Sequence, residues 1–168
     1  MDVFAQSRTT ASEADVAMKI RLATLADLDE LEWLERDVFV QDRYHRAQLR
    51  YLLGRAYATT HVAVEDRVIV GWAIMLWKRK SRVGHLHSLG VRREWQGQGI
   101  GPRLLDLVEA EAAQRGCDRV SLYTRGTNDR AIKVYSQRGY KTVKVIKEYF
   151  PDGGTGLRMM KDMREERK

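Results

Sequence analysis

Met18-Lys19-Ile20-Arg21-Leu22 alternates apolar and charged residues, the period-two pattern of a strand with one buried face. The period then lengthens. Leu28, Leu31, Leu34 and Val38 recur every three or four positions and predict a helix of about four turns, with Thr24 and Asp27 as an imperfect capping box because its acid is Asp. Tyr44 to Leu53 predicts a second, shorter helix that stops before Gly54. Thr60–Val64 and Val68–Trp77 read as a hairpin turning at Glu65-Asp66-Arg67, and Val83–Val91 as a third strand. Leu104, Leu105, Val108 and Ala112 mark the buried stripe of a helix from Pro102 to Arg115, ended by Gly116. A strand at Arg119–Thr124, a short helix at Asp129–Gln137 and strands near Tyr140–Ile146 and Gly156–Met160 complete the pattern. Residues 1–17 lack sustained periodicity and are expected to form a flexible tail, leaving one domain over 18–163 and a charged end over 164–168.

Composition narrows the picture. At 168 residues and 43% hydrophobic content the chain is long enough for one domain with a real core. It has no apolar run of about 18 residues and no basic, apolar leader, so a cytoplasmic protein without a membrane partner is expected. The single cysteine, Cys117, sits where a small buried residue is common and has no neighbouring base to make it a nucleophile. The formal charge of +7 comes from basic residues interleaved with acids, so no nucleic-acid partner is expected; part of the excess suits an anionic cofactor.

The candidate chemistry begins at Leu89-Gly90-Val91-Arg92-Arg93-Glu94-Trp95-Gln96-Gly97-Gln98-Gly99-Ile100-Gly101, where a strand empties into a glycine-rich turn before a helix. Glycines at alternate positions allow positive φ and close backbone approach to a ligand. Pro102 suits a first helical residue, and the helix start offers free amides and a positive dipole end to a phosphate. A dinucleotide-binding G-x-G-x-x-G from Gly97 fails at Pro102, and no Gly-Lys-Ser/Thr of a P-loop is present.

Gln96-Gly97-Gln98-Gly99-Ile100-Gly101 resembles the acetyl-coenzyme A signature of the GNAT superfamily of N-acetyltransferases, and Leu122-Tyr123-Thr124-Arg125, Asn128, Ala131, Tyr135 and Gly139-Tyr140 resemble its second segment. Within that superfamily the chain is similar to ribosomal-protein alanine and N-terminal protein acetyltransferases. The resemblance implies an α/β (α+β) fold: a central, mixed, mostly antiparallel sheet of six to seven strands flanked by about four helices, splayed at the strand pair that takes the cofactor. It implies acetyl-coenzyme A as co-substrate, no metal, an amine acceptor that is a peptide or a small molecule, and a monomer or homodimer. Pantetheine is expected along Leu89, Gly90 and Val91, with a backbone N–H there receiving the thioester oxygen, and the pyrophosphate in the turn Gln96 to Gly101. Arg92, Arg93 and Arg103 are candidates for the phosphates by proximity, and surface arginines serve equally well as an explanation of each.

Tyr135 matches the family tyrosine that protonates the departing thiolate, a suitable acid because its unperturbed pKa of about 10 is near that of a thiol. Asn128 matches a position that contacts the cofactor or caps the following helix. The base stays open. Related enzymes carry a catalytic glutamate where this chain has Tyr123, and one eukaryotic relative has a catalytic tyrosine at the position of His85. His85 and His87 point to one face of their strand, and imidazole is suited to accept a proton near neutrality. A zinc site from the pair lacks further ligands. Trp33, Tyr44, His87 and Tyr149 are the expected acceptor contacts. Tyr149 lies in Glu148-Tyr149-Phe150-Pro151-Asp152-Gly153, similar to the Tyr-Tyr-x-Asp-Gly loop of N-terminal acetyltransferases, although Gly154-Thr155-Gly156 replaces the usual acidic continuation. The leading expectation is an N-acetyltransferase for a protein or peptide N-terminal α-amine. Acetylation of a small amine or amino-acid derivative is the alternative within enzymes, and a non-catalytic acyl-coenzyme A-binding module the alternative outside them.

Overall fold

A single sheet of seven strands carries the molecule, in the spatial order β1 (Met18–Leu22), β2 (Ala58–Glu65), β3 (Val68–Leu76), β4 (Val83–Val91), β5 (Arg119–Arg125), β7 (Gly156–Asp162) and β6 (Lys141–Ile146). The computed structural model describes residues 18–39 and 42–167. The expected tail over 1–17 lies outside the described residues. Among the described residues four α-helices flank the sheet: α1 (Leu28–Val38), α2 (Arg46–Leu53), α3 (Ile100–Gln114) and α4 (Asp129–Gln137). Only β4 and β5 run parallel; the other neighbours are antiparallel, so the mixed, mostly antiparallel sheet agrees with expectation.

Both faces of the sheet are covered, which explains why β3 reads Val-Ile-Val-Gly-Trp-Ala-Ile-Met-Leu with no polar alternation. On one face Leu31, Leu34 and Leu49 of α1 and α2 pack with Val62, Ile69, Trp72 and Ile74. On the other, Leu104, Leu105 and Val108 of α3 and Tyr135 of α4 pack with Val70, Met75, Leu86 and Leu122. The β2–β3 hairpin turns through Asp66 and Arg67 at φ 47° and 66°, the two left-handed residues that match strand twist in a two-residue turn. No helix among the described residues is long and apolar enough to cross a membrane.

Several boundaries differ from the sequence pattern. The first helix is preceded by a 3-10 turn over Leu25–Asp27 and runs only Leu28–Val38, with the Thr24 N–H donating to the Asp27 carboxylate at 2.8 Å and Arg21 gripping the same carboxylate. The second helix begins at Arg46 rather than Tyr44. Helix α3 begins two residues before Pro102, at Ile100, so the proline is third in the helix. Its ring is tolerated because first-turn N–H groups have no intrahelical partner. The last strand runs past its expected end near Met160: β7 continues to Asp162, and Lys161 is buried between Glu109 at 2.9 Å and Glu166 at 2.6 Å.

Candidate active site

The sheet opens where the two parallel strands part. β4 and β5 pair from Val83 with Arg119 to Leu86 with Leu122 and no further. At the same level the β3–β4 register jumps, Ile74 facing Ser88 and Met75 facing Leu86, which leaves His87 as the extra residue of a bulge. A bulge bends and twists its strand. Past His87, β4 therefore swings away from β5, and its Leu89–Val91 segment lies beside a gap, as the expected splay requires.

Two cavities flank that gap. The larger, about 560 Å³, runs from Leu89, Gly90 and Val91 to the glycine turn and is walled by Ala131, Val134 and Tyr135 of α4. The smaller, about 300 Å³, is lined by His85, His87, Tyr123, Tyr44, Tyr149 and Arg125, among others. Phe39, Leu89, Asn128, Ala131 and Tyr135 line both, so the two spaces meet at those side chains.

The glycine turn is built for an anion. Gly97 and Gly99 take φ values of 81° and 82°, and a Cβ added at either would meet nothing within 4 Å, so their requirement is backbone conformation beside open space. Gln96 fastens the turn: its amide donates to the Val91 carbonyl at 3.0 Å and accepts from Arg130 at 2.7 Å. Ile100 and Gly101 then present first-turn amides at the dipole end of α3. This cradle fits the pyrophosphate of coenzyme A. Gln98 side chain points to solvent and does not line the cavity, so only its backbone can serve. Of the proposed arginines, Arg92 is engaged with the Ile69 carbonyl and Glu30, and Arg93 with the Asp37 carbonyl, because α1 packs beside them. Arg103 is exposed on α3 outside the lining residues. The cation that does line the groove is Arg130, which the sequence reading missed; its position in the first turn of α4, facing the glycine turn, was the available signal.

Tyr135 is buried at the junction, its ring 5.6 Å from that of Tyr140, and burial raises the phenol pKa above its ordinary value. It is therefore protonated near neutral pH. Asn128 caps α4, its side-chain oxygen accepting from the Ala131 N–H at 3.2 Å, while also lining both cavities.

The smaller cavity has an aromatic wall. Tyr44 stacks on His87 at 4.2 Å, His87 and His85 rings are 6.0 Å apart, His85 meets Tyr123 at 5.6 Å, and Tyr123 stacks on Tyr149 at 5.0 Å. The Tyr44 hydroxyl donates to the His87 carbonyl at 3.1 Å, which pins the bulge. His85 Nδ1 lies 3.1 Å from Ser121 Oγ. Burial lowers the pKa of His85, helped by Arg158, and pushes His87 down to about 4, helped by His85. Both rings are neutral at pH 7. Trp33 is the exception among the expected contacts. It is 48% exposed with the Arg92 guanidinium 5.0 Å above its ring, and it lines neither cavity, because its position on α1 faces away from the leucine stripe.

Beneath the site lies a residue the sequence reading passed over. Glu35 is fully buried and accepts from Ser88 Oγ at 2.7 Å, Trp72 Nε1 at 2.9 Å and the Tyr44 N–H at 3.2 Å; desolvation nevertheless raises its pKa. The signal was an acid beside Leu34, four residues after Leu31, on the apolar stripe of a helix.

An anion cradle leading past a protonated phenol into a pocket of neutral bases is the layout of a group-transfer enzyme, here an acyltransferase. The chain belongs to the acetyltransferase (GNAT) family, whose model matches residues 25–140. An uncharacterised N-acetyltransferase of Methanocaldococcus jannaschii is 31% identical over 147 residues, 86% of this chain and 91% of its own. The N-alpha-acetyltransferase of Sulfolobus acidocaldarius is 27% identical over 158 residues, 86% of this chain and 92% of its own. Among solved structures, the ribosomal-protein-S18-alanine N-acetyltransferase from Escherichia coli matches with a TM-score of 0.79 and 20% identity, over 87% of this chain and 94% of its own, a likeness of fold.

Proposed function

We propose that this acyltransferase moves an acetyl group directly from acetyl-coenzyme A to the α-amine of a protein or peptide N-terminus. The observation that carries the reading is the position of Tyr135, a buried, protonated phenol where the two cavities meet. Coenzyme A lies with its pyrophosphate on the turn Gln96 to Gly101 and its pantetheine along Leu89–Val91, the strand segment that β5 leaves unpaired. A backbone N–H of that segment receives the thioester oxygen as negative charge develops. The neutral amine enters from the smaller cavity and attacks the carbonyl carbon. The C–S bond then breaks and the thiolate takes the proton of Tyr135. The proton lost by the amine passes to His85, directly or through water beside Tyr123, with His87 and Tyr149 positioning the acceptor.

The depressed basicity of both histidines favours an α-amine over a lysine side chain. With pKa values of about 7.8 and about 10.4, roughly a third of α-amines but only about one lysine in a thousand is neutral at pH 7.5. A site whose bases are weak suits the acceptor that needs least help. The Sulfolobus relative named N-alpha-acetyltransferase supports the same choice.

The test is turnover with acetyl-coenzyme A on peptides with a free N-terminus, on N-terminally blocked lysine peptides and on small amines, with the acetyl group located by mass spectrometry. Acetyl on the α-amine is expected. Product confined to lysine side chains or to small amines overturns the reading.

A further inference from the structure

At the far end of β4 from the glycine turn, the β3–β4 connection gathers cations that the charge pattern of the whole chain conceals. Lys78-Arg79-Lys80-Ser81-Arg82 and Arg115, from the C-terminal end of α3, border a cavity of about 590 Å³ that has no acidic lining residue. Arg82 is held by Asp118 at 2.5 Å, and Arg115 by Glu111 at 3.0 Å while its guanidinium lies 4.5 Å over the Trp77 ring. Lys78, Arg79 and Lys80 make no ion pair with any described residue. Lys80 holds φ at 61°, a left-handed conformation uncommon for lysine, so the turn projects these side chains without a helix or strand to bury their stems.

Aromatic rings lie beside the cations. Tyr57 lines the same cavity and is 42% exposed. Its hydroxyl donates to that of Tyr51 at 2.6 Å, and Tyr51 is 49% exposed with the Arg55 guanidinium 4.0 Å over its ring. Unpaired cations that track a backbone, interleaved with exposed π-faces that accept any base, are what a single strand of nucleic acid requires. An interfacial membrane anchor presents the broad apolar face of an amphipathic helix, and this surface is a short cationic turn between two strands.

We propose that the Lys78–Arg82 turn with Tyr57 and Tyr51 is a binding surface for single-stranded nucleic acid, separate from the acetyl-transfer site. The eight-residue rise of β4 between Val83 and Val91 puts on the order of 25 Å between them, so a bound strand leaves the cofactor groove open. The expectation of scattered charge, read from the sequence, is thereby revised at this one turn.

The test is fluorescence anisotropy of a labelled oligouridylate of about 16 nucleotides between about 50 and 200 mM salt. Binding to the full chain is expected, weakening steeply with salt. Combining Lys78→Gln, Arg79→Gln and Lys80→Gln is expected to reduce the magnitude of the log–log salt slope by about 2, the release from three phosphate contacts. Tyr57→Ala is expected to weaken binding about tenfold with the slope retained. Peptide acetylation is expected to stay unchanged in both variants, which also reports that they fold. No binding at the lowest salt, a slope untouched by the triple change, an affinity untouched by Tyr57→Ala, or preferential binding to phosphatidylglycerol vesicles overturns the proposal.

Discussion

The guanidinium of Arg125 holds the carboxylate of Asp42 through two hydrogen bonds, the one from Nη2 measuring 2.7 Å. Its remaining edge reaches Asp152 at 3.1 Å, and its plane lies 4.2 Å over the Phe150 ring. Three segments distant in sequence, the one after α1, the end of β5 and the loop before β7, are thus tied together at the wall of the smaller cavity. Both carboxylates raise the pKa of Arg125, so the cation persists at any working pH.

Arg125→Lys is expected to loosen this tie, because an ammonium cannot match a two-pronged guanidinium contact. The acceptor KM should rise about tenfold, the loss of one charge-assisted hydrogen bond, while the acetyl-coenzyme A KM stays within about twofold. Steady-state kinetics with each substrate varied in turn separate the two. Equal rises in both KM values would mean that the clamp shapes the whole groove rather than its acceptor side.

Glu35→Ala is expected to cost about 3 kcal/mol in chemical denaturation, because Trp72 Nε1, Ser88 Oγ and the Tyr44 N–H lose a common buried acceptor. Glu35→Gln keeps one acceptor oxygen and should cost less. A null effect of the alanine change would show that water replaces the carboxylate there.

Gly90→Ala is expected to damage both fold and cofactor groove. A Cβ at this position comes within 2.3 Å of the Trp72 ring, which is fully buried and cannot retreat, and overpacking of this kind costs about 1–3 kcal/mol. A lowered Tm together with a raised acetyl-coenzyme A KM is the expected pair of results.

The order of elements, the splayed sheet and the glycine turn were legible because each has a local signature. Helix stripes at Leu28, Leu31 and Leu34, glycines at 97 and 99, and Asn128 three residues before Ala131 are decided within one or two turns of chain. Features that depend on what a side chain meets across the sheet were not. Trp33 was misjudged because an exposed aromatic and a pocket aromatic occupy similar helix positions, and only Arg92 packing on it distinguishes them. Arg92 and Arg93 sit beside the turn in sequence, yet acceptors on β3 and α1 capture them. The role of Glu35 required knowing that Ser88 of β4 and Trp72 of β3 meet it from the sheet beneath α1.

Two pH effects follow from the histidines. Since His85 is lowered and His87 pushed down to about 4, no rise in kcat/KM is expected near pH 6.5; the rise should instead track the acceptor amine, near pH 8. Changing to an acceptor of lower amine pKa should move the curve by the same amount. Stability should respond separately. The unfolded chain protonates His87 near its ordinary 6.5, the folded one only near 4, so between these values the unfolded chain binds more protons and stability falls as pH drops. Thermal unfolding across that window should fall less steeply in His87→Gln.

The central claim is that Tyr135 delivers the proton to the departing thiolate. The most direct measurement is kcat for Tyr135→Phe against the unchanged protein, with an α-amine peptide as acceptor and acetyl-coenzyme A binding followed by calorimetry. The phenylalanine keeps the ring that lines both cavities and removes only the hydroxyl that carries the proton. A fall in kcat of about a hundredfold with acetyl-coenzyme A affinity retained is expected. An unchanged kcat at retained affinity would contradict the account.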